Sequence, residues 1–120
     1  MLIILSPAKT LDFESKQETN LNSKPVFQHE ANALADILKA YSQQELAELF
    51  HVNPRLAELN YGRYQVWRKK PGNEVLKQAI LAFKGDVYQG LKAEELNEQE
   101  LKFAQQHLRM LSGLYGVLKP

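Results

Sequence analysis

The chain opens on an apolar run without alternation, Met1-Leu2-Ile3-Ile4-Leu5, which stops at Ser6-Pro7. Branched apolar residues without a polar partner face predict a short strand over residues 2–5, buried on both sides as in the middle of a parallel or mixed sheet. Pro7 ends it. Residues 13–27 show no period and are rich in Ser, Asn, Gln, Lys and Glu. They predict a long surface loop closed by Pro25, of the kind that covers a site or a neighbouring surface. Ala31, Leu34, Ala35 and Leu38 recur at three and four, which predicts a helix from about Pro25 to Ala40 with one buried stripe. Ser42 and Glu45 form a capping box opening a short second helix with Leu46, Leu49 and Phe50 inward. Asn53-Pro54 starts a third helix, which carries Leu56, Leu59, Tyr64 and Trp67 and ends near Lys69–Gly72. A fourth is expected from Asn73, with Val75, Leu76, Ala79, Ile80 and Phe83 inward.

Gly85 and Gly90 bracket Asp86-Val87-Tyr88-Gln89, which predicts a short strand or turn near 86–88. Asn97 with Glu100 opens a fifth helix with Leu101, Ala104 and Leu108 on one side and His107 and Arg109 in its last turn. The segment 110–115 reads as a strand followed by a tight turn at Gly113. The fold class is therefore mixed α/β, mainly helical, with short strands near 2–5, 86–88 and 110–115. So few strands do not build a covered sheet. The expectation is that residues 1–120 are the N-terminal part of a single larger domain, whose C-terminal portion lies beyond Pro120.

Composition narrows the function classes. With 120 residues, 44% of them hydrophobic, the chain supports one modest core. It has no Cys, which removes disulfide and thiolate chemistry. No apolar run is long enough to span a bilayer and no basic segment precedes the first one, so a cytoplasmic, non-membrane protein is expected. The net charge is +1 but unevenly placed: residues 1–60 carry −3, residues 61–93 carry +5 and residues 94–120 carry −1. The middle third is the one candidate for an electropositive face.

Polar chemistry concentrates in three stretches. Ser6-Pro7-Ala8-Lys9-Thr10-Leu11-Asp12 follows the first strand, at the strand end where open sheets bind ligands. There Lys9 suits an anion and Asp12 is placed either to orient Lys9 or to cap its own loop. In Lys84-Gly85-Asp86-Val87-Tyr88-Gln89-Gly90, Lys84 and Asp86 are placed to pair, and Tyr88 to stack or give a proton. The alternative is a turn with one surface ion pair. In the third, Arg109, Ser112, Tyr115 and Lys119 surround Gly113 and Gly116; the two cations suit phosphate, although Arg109 also fits as a helix-end residue. Ser6 with Lys9 has Ser-x-x-Lys spacing without the companion motifs of the Ser/Lys hydrolases. No Walker A or dinucleotide fingerprint is present. His29, His51 and His107 lack metal-ligand spacing, so no metal and no cofactor is expected.

Taken together, LSPAKTLD at 5–12, AILAFKGDVYQGL at 79–91 and FAQQHLRMLSGLYGVLKP at 103–120 resemble the YaaA family of bacterial peroxide-stress proteins. The resemblance implies an unusual mixed α/β fold with a positively charged cleft and a helix-hairpin-helix element. It implies a cytoplasmic role in limiting hydrogen peroxide damage to DNA and protein, linked to lower intracellular free iron. It also implies double-stranded DNA as a partner of the full-length protein. Carried onto this chain, the DNA- or anion-binding candidates are Lys9, Thr10, Lys84, Arg109, Ser112, Tyr115 and Lys119. Lys119 departs from the Arg many relatives carry, which keeps the charge and loses the bidentate fork. Whether the protein is an enzyme stays open. The alternative is an enzyme acting on a nucleotide or nucleic-acid base, with Ser6, Lys9, Asp12, Lys84, Asp86 and Tyr88 as catalytic candidates and a nucleotide-like ligand.

Overall fold

The structure is a computed structural model that describes residues 1–16, 19–72 and 76–120. It divides into two compact units, one of residues 29–70 and one built from residues 1–28 together with 71–120.

The first unit is helical. Helix α1 spans Gln28–Lys39, α2 Gln43–Phe50 and α3 Pro54–Gln65. The cap signals act as the sequence implies. Ser42 Oγ accepts from the Glu45 N–H while Glu45 returns a bond to the Ser42 N–H. Asn53 Oδ1 accepts from the Leu56 N–H with Pro54 in the first turn. Helix α2 ends on His51 in the left-handed region, φ 52°.

The buried faces match the expected ones in part. Ala31, Ala35, Leu46 and Ala57 are the buried residues, while Leu34, Leu49, Leu56 and Leu59 stay exposed. Three of these four are alanines, and Leu46 is the largest side chain fully buried in this unit. Helix α3 stops at Gln65, short of Lys69. The residues after it are held by side chains: Trp67 Nε1 donates to Asn32 Oδ1 at 3.0 Å, Asn32 to the Lys69 carbonyl at 3.4 Å, and Lys69 meets Asp36 at 2.7 Å.

The second unit holds all the strands among the described residues. Strand β1 (Ile3–Leu5) runs parallel to β4 (Leu108–Ser112), and β4 pairs antiparallel with β5 (Gly116–Leu118), giving the order β1-β4-β5. A separate two-residue ladder joins β2 (Thr10–Leu11) to β3 (Phe83–Lys84). Helices α4 (Ala79–Ala82), α5 (Asp86–Leu91) and α6 (Glu98–His107), with a 3-10 turn at Ala93–Glu95, complete it. Ile80, Leu81, Tyr88, Ala93, Leu108, Met110 and Leu118 form the core. Leu108 and Met110 alternate with the more accessible Arg109 and Leu111, so one face of the sheet is packed and the other is open.

Four expectations are corrected here. Residues 86–88 are helical; the strand is Phe83–Lys84. Gly85, at φ 146°, breaks the chain between strand and helix, and Asp86 in the first turn of α5 favours helix by its charge. The fourth helix shrinks to Ala79–Ala82, with Leu76–Gln78 non-helical and Phe83 in a strand; Asn73 and Val75 lie outside the described residues. Helix α6 ends at His107, so Leu108 and Arg109 belong to β4, which starts without an intervening loop. Strand β1 is not buried on both faces: Leu2, Ile3 and Ile4 are exposed, because its pairing and covering come from β4 and one side alone.

The φ of Gly85 lies in a region that only glycine occupies without strain. Its missing Cβ would meet only Ala8 Cβ at 3.8 Å, so the cost of substitution is in the backbone. Gly85→Ala is expected to lower unfolding free energy by about 1–3 kcal/mol. Gly113→Ala, with negative φ and open space, is expected to leave it unchanged or raise it by about 0.4–1 kcal/mol. Urea unfolding of both variants checks the contrast.

Candidate functional site

The three sequence stretches meet in the second unit. The first leaves β1 at Ser6 and enters β2, so it is paired with both of the others. Leu5 lies beside Met110, Thr10 beside Lys84 and Leu11 beside Phe83. A two-residue ladder is too short to hold itself, and side chains fasten it. The Asp12 N–H donates to the Ala82 carbonyl at 2.7 Å, extending the pairing by one bond. The Tyr88 hydroxyl donates to the Ser6 carbonyl at 2.6 Å. The Phe83 and Tyr88 rings meet edge to face with centroids 5.4 Å apart. Tyr88 is buried, and burial raises its pKa above the usual tyrosine value, so it stays a neutral donor at ordinary pH.

Among the described residues Asp12 is the most strongly perturbed acid. Its Oδ1 accepts from the Glu14 and Ser15 N–H groups, each at 3.0 Å. Bonds from the Ser15 side chain and backbone, then the Glu14 N–H and the Lys77 charge, hold it well below the usual carboxylate range. Lys77 Nζ lies 3.7 Å from Asp12 Oδ2 and donates to the Ser15 carbonyl at 3.0 Å, with a side chain only 7% exposed. Asp12 therefore caps its own loop and faces Lys77 instead of Lys9. Gln78 Nε2 donates to the Leu21 carbonyl at 2.8 Å, so neighbouring residues Lys77 and Gln78 together pin the long loop after β2. Both were missed by sequence reasoning. Lys77 is sixty-two positions from Ser15, and no local pattern marks such a contact.

The remaining candidates divide by what they touch. Ser6, Lys9 and Thr10 are exposed, Lys84 is half-buried and Asp86 is exposed at the start of α5. Among the described residues Lys84 and Asp86 form no ion pair; with Asp86 in the first turn of α5, the expected pairing is replaced by a helix-end position. Arg109 Nη1 donates to the Gln105 and Leu108 carbonyls at 2.9 and 2.6 Å, finishing α6. Ser112 Oγ accepts from the Tyr115 N–H at 3.1 Å and shapes the β4–β5 turn, which Gly116 leaves at φ 70°. Lys119 is exposed after β5. His107 Nδ1–H donates to the Met1 carbonyl at 2.8 Å and its ring stacks on Phe103, which fixes the entry to β1. Among the described residues no three His, Asp or Glu side chains gather as a metal set. The open grooves along α2 and α3, about 540 and 570 Å³, are lined by none of the motif residues.

The arrangement is a mixed α/β unit in which three separated motif strings share two short ladders, with exposed cations and hydroxyls at their ends. That defines the class, and comparison places the chain within it. The chain belongs to the family described as peroxide stress protein YaaA, whose profile matches residues 1–120. It is 48% identical over its whole length to UPF0246 proteins of Bordetella pertussis, Bordetella parapertussis and Bordetella bronchiseptica, covering 47% of each. The chain thus spans about half the length of these curated relatives. Among the described residues no helix is long and apolar enough to cross a membrane.

Two titrations check the fastenings. Tyr88→Phe keeps the ring contact and loses the bond to Ser6, and is expected to lower unfolding free energy by about 1–2 kcal/mol. The contribution of a neutral Tyr88 is complete below the ordinary pKa of 10 and is lost as pH rises through the higher folded value. The loss on mutation therefore shrinks in strong alkali. Asp12 behaves in the opposite sense. Its folded pKa is depressed, so its contribution is complete above the ordinary value of 3.8 and falls as pH drops through the folded one. Denaturant midpoints of Asp12→Asn and the parent are expected to differ at pH 7 and to converge on acidification below pH 3.8.

Proposed function

We propose that the protein acts in the cytoplasm during hydrogen peroxide stress by binding double-stranded DNA through its backbone phosphates, limiting damage to DNA and protein. The observation carrying this reading is the Thr10–Lys84 register. It sets Lys9, Thr10 and Lys84, two ammonium groups and a hydroxyl, on one short ribbon. Among the described residues neither lysine has an acidic partner within ion-pair distance. By contrast Lys69, Lys77, Lys92 and Lys102 face carboxylates, and Arg109 is held by carbonyls. Unpaired cations beside a hydroxyl suit phosphate contact without base readout. Lys119, exposed after β5, adds a third cation. Ser112 and Tyr115 shape the turn that leads to it, and Arg109 supports the strand. The link to lower free iron is read as indirect.

Each phosphate neutralised adds about 0.9 to the slope of log affinity against log salt. The Lys9→Gln, Lys84→Gln double variant is expected to lower that slope by about 1.8 with duplexes of unrelated sequence. Fluorescence anisotropy across a salt series is the measurement. An affinity indifferent to salt, or a slope unchanged in the variant, counts against the reading.

A second reading is an enzyme acting on a nucleotide or nucleic-acid base. It is favoured by the same convergence, which brings Ser6, Lys9, Asp12, Lys84, Asp86 and Tyr88 onto one unit. In it Ser6 is the nucleophile, Lys9 and Lys84 hold the anion, and Asp86 is the carboxylate free for proton transfer. Tyr88 and Asp12 serve as supports, because the hydroxyl of one and the carboxylate of the other are engaged with the backbone.

A further inference from the structure

The segment from Ser6 to Asp12 carries Lys9 and Thr10, yet its ladder with Phe83–Lys84 is only two residues long. Side chains from elsewhere in the unit fasten both of its ends. At the Ser6 end the fastener is the Tyr88 hydroxyl, 2.6 Å from the Ser6 carbonyl. At the Asp12 end it is Lys77, whose ammonium donates to the Ser15 carbonyl at 3.0 Å and lies 3.7 Å from Asp12 Oδ2. Between those two contacts the turn closes on itself, since Asp12 Oδ1 accepts from the Glu14 and Ser15 N–H groups. The Asp12 N–H also donates to the Ala82 carbonyl, one step beyond the Leu11–Phe83 pair. The turn that Lys77 grips is therefore the last rung of the ribbon.

Lys77 is an unusual cation for this chain. Its side chain is 7% exposed, against 62, 61 and 60% for the ion-paired Lys69, Lys92 and Lys102. A lysine is seldom withdrawn from water unless specific partners hold its ammonium. Lys77 belongs to the basic middle of the chain, but so placed it has almost no surface to offer a phosphate. What it touches is the turn directly behind Thr10.

We infer that Lys77 is a positioning residue for phosphate contact: by gripping the Asp12–Ser15 turn it holds Lys9 and Thr10 against Lys84, without meeting the phosphate itself. This inference rests on the reading of Lys9, Thr10 and Lys84 as the phosphate contacts. A positioning cation and a contacting cation differ in what their loss does. Removing a contact lowers the slope of log affinity against log salt by about 0.9. Loosening the turn, so that the competent arrangement is held about one fifth of the time, weakens binding about fivefold and leaves the slope unchanged.

The experiment is fluorescence anisotropy of the 120-residue chain with duplex DNA of mixed sequence across a salt series. The active fraction of each variant is fixed by stoichiometric titration, so that a loss of folded protein is not counted as a loss of affinity. Lys77→Met is expected to bind about fivefold more weakly at every salt concentration, with the parent's slope. Lys77→Arg, which keeps the charge and the donors at the turn, is expected to come within about twofold of the parent. Asp12→Asn is the milder variant, carries the test if Lys77→Met fails to fold, and decides by sign. As a bare negative charge beside the ribbon, Asp12 would repel DNA, and its neutralisation would strengthen binding. As a partner of Lys77 its neutralisation weakens binding, by about twofold at unchanged slope. A slope lowered by about 0.9 in Lys77→Met makes Lys77 a contact and overturns the inference. Unchanged affinity in Lys77→Met, or stronger binding by Asp12→Asn, overturns it as well. A parent indifferent to salt brings down the DNA reading and this inference with it, whereas a salt-dependent parent with unaffected variants overturns this inference alone.

Discussion

Parallel pairing of Ile3–Leu5 with Leu108–Met110 is the constraint on which the second unit depends. Parallel strands cannot be joined by a tight turn, and here the crossover is everything from Ser6 to His107. Closing so long a loop carries an entropic cost that grows only slowly with its length, so the whole helical unit can lie inside the crossover. Once β1 is seated, Ser6 is fixed at its end and Tyr88 can reach the Ser6 carbonyl. The β2–β3 ladder follows, since Thr10 and Leu11 are only a few residues further on. His107 closes the other end of the strand by bonding the Met1 carbonyl, directly where α6 gives way to β4.

The motif residues therefore do two kinds of work. Tyr88, Arg109, Ser112 and Asp12 satisfy backbone groups that the short ladders leave open. With strands of two to five residues, few main-chain bonds are made by the ladders themselves, and side chains take their place. Lys9 and Thr10 are left exposed, and Lys84 half-buried, on the framework so built. A motif string is in this way both a folding instruction and a surface, and the two roles separate only when each side chain's partner is known.

Charge shows the same division. The basic excess of residues 61–93 looks like one face in the sequence, yet it is split between the two units. Lys77 turns inward to Asp12, and Lys69 and Lys92 meet carboxylates near the surface. Sequence charge counts cannot tell an internal cation from a free one, because pairing depends on which carboxylate the fold brings near.

The sequence by itself determined the local events: the capping boxes at Ser42 and Asn97, the Asn53-Pro54 start and the turn at Gly113. Each is decided by backbone groups within four residues, so the information is adjacent to the event. The family likewise was legible in three strings. Tertiary structure decided what lies at longer range. It left Leu34, Leu49, Leu56 and Leu59 exposed on the helical unit, and made Lys77 instead of Lys9 the partner of Asp12. It also showed that the Tyr88 hydroxyl donates to the Ser6 carbonyl. These outcomes turn on contacts between residues far apart in the chain, where propensity and periodicity say which residues seek burial or a partner but not which partner they find.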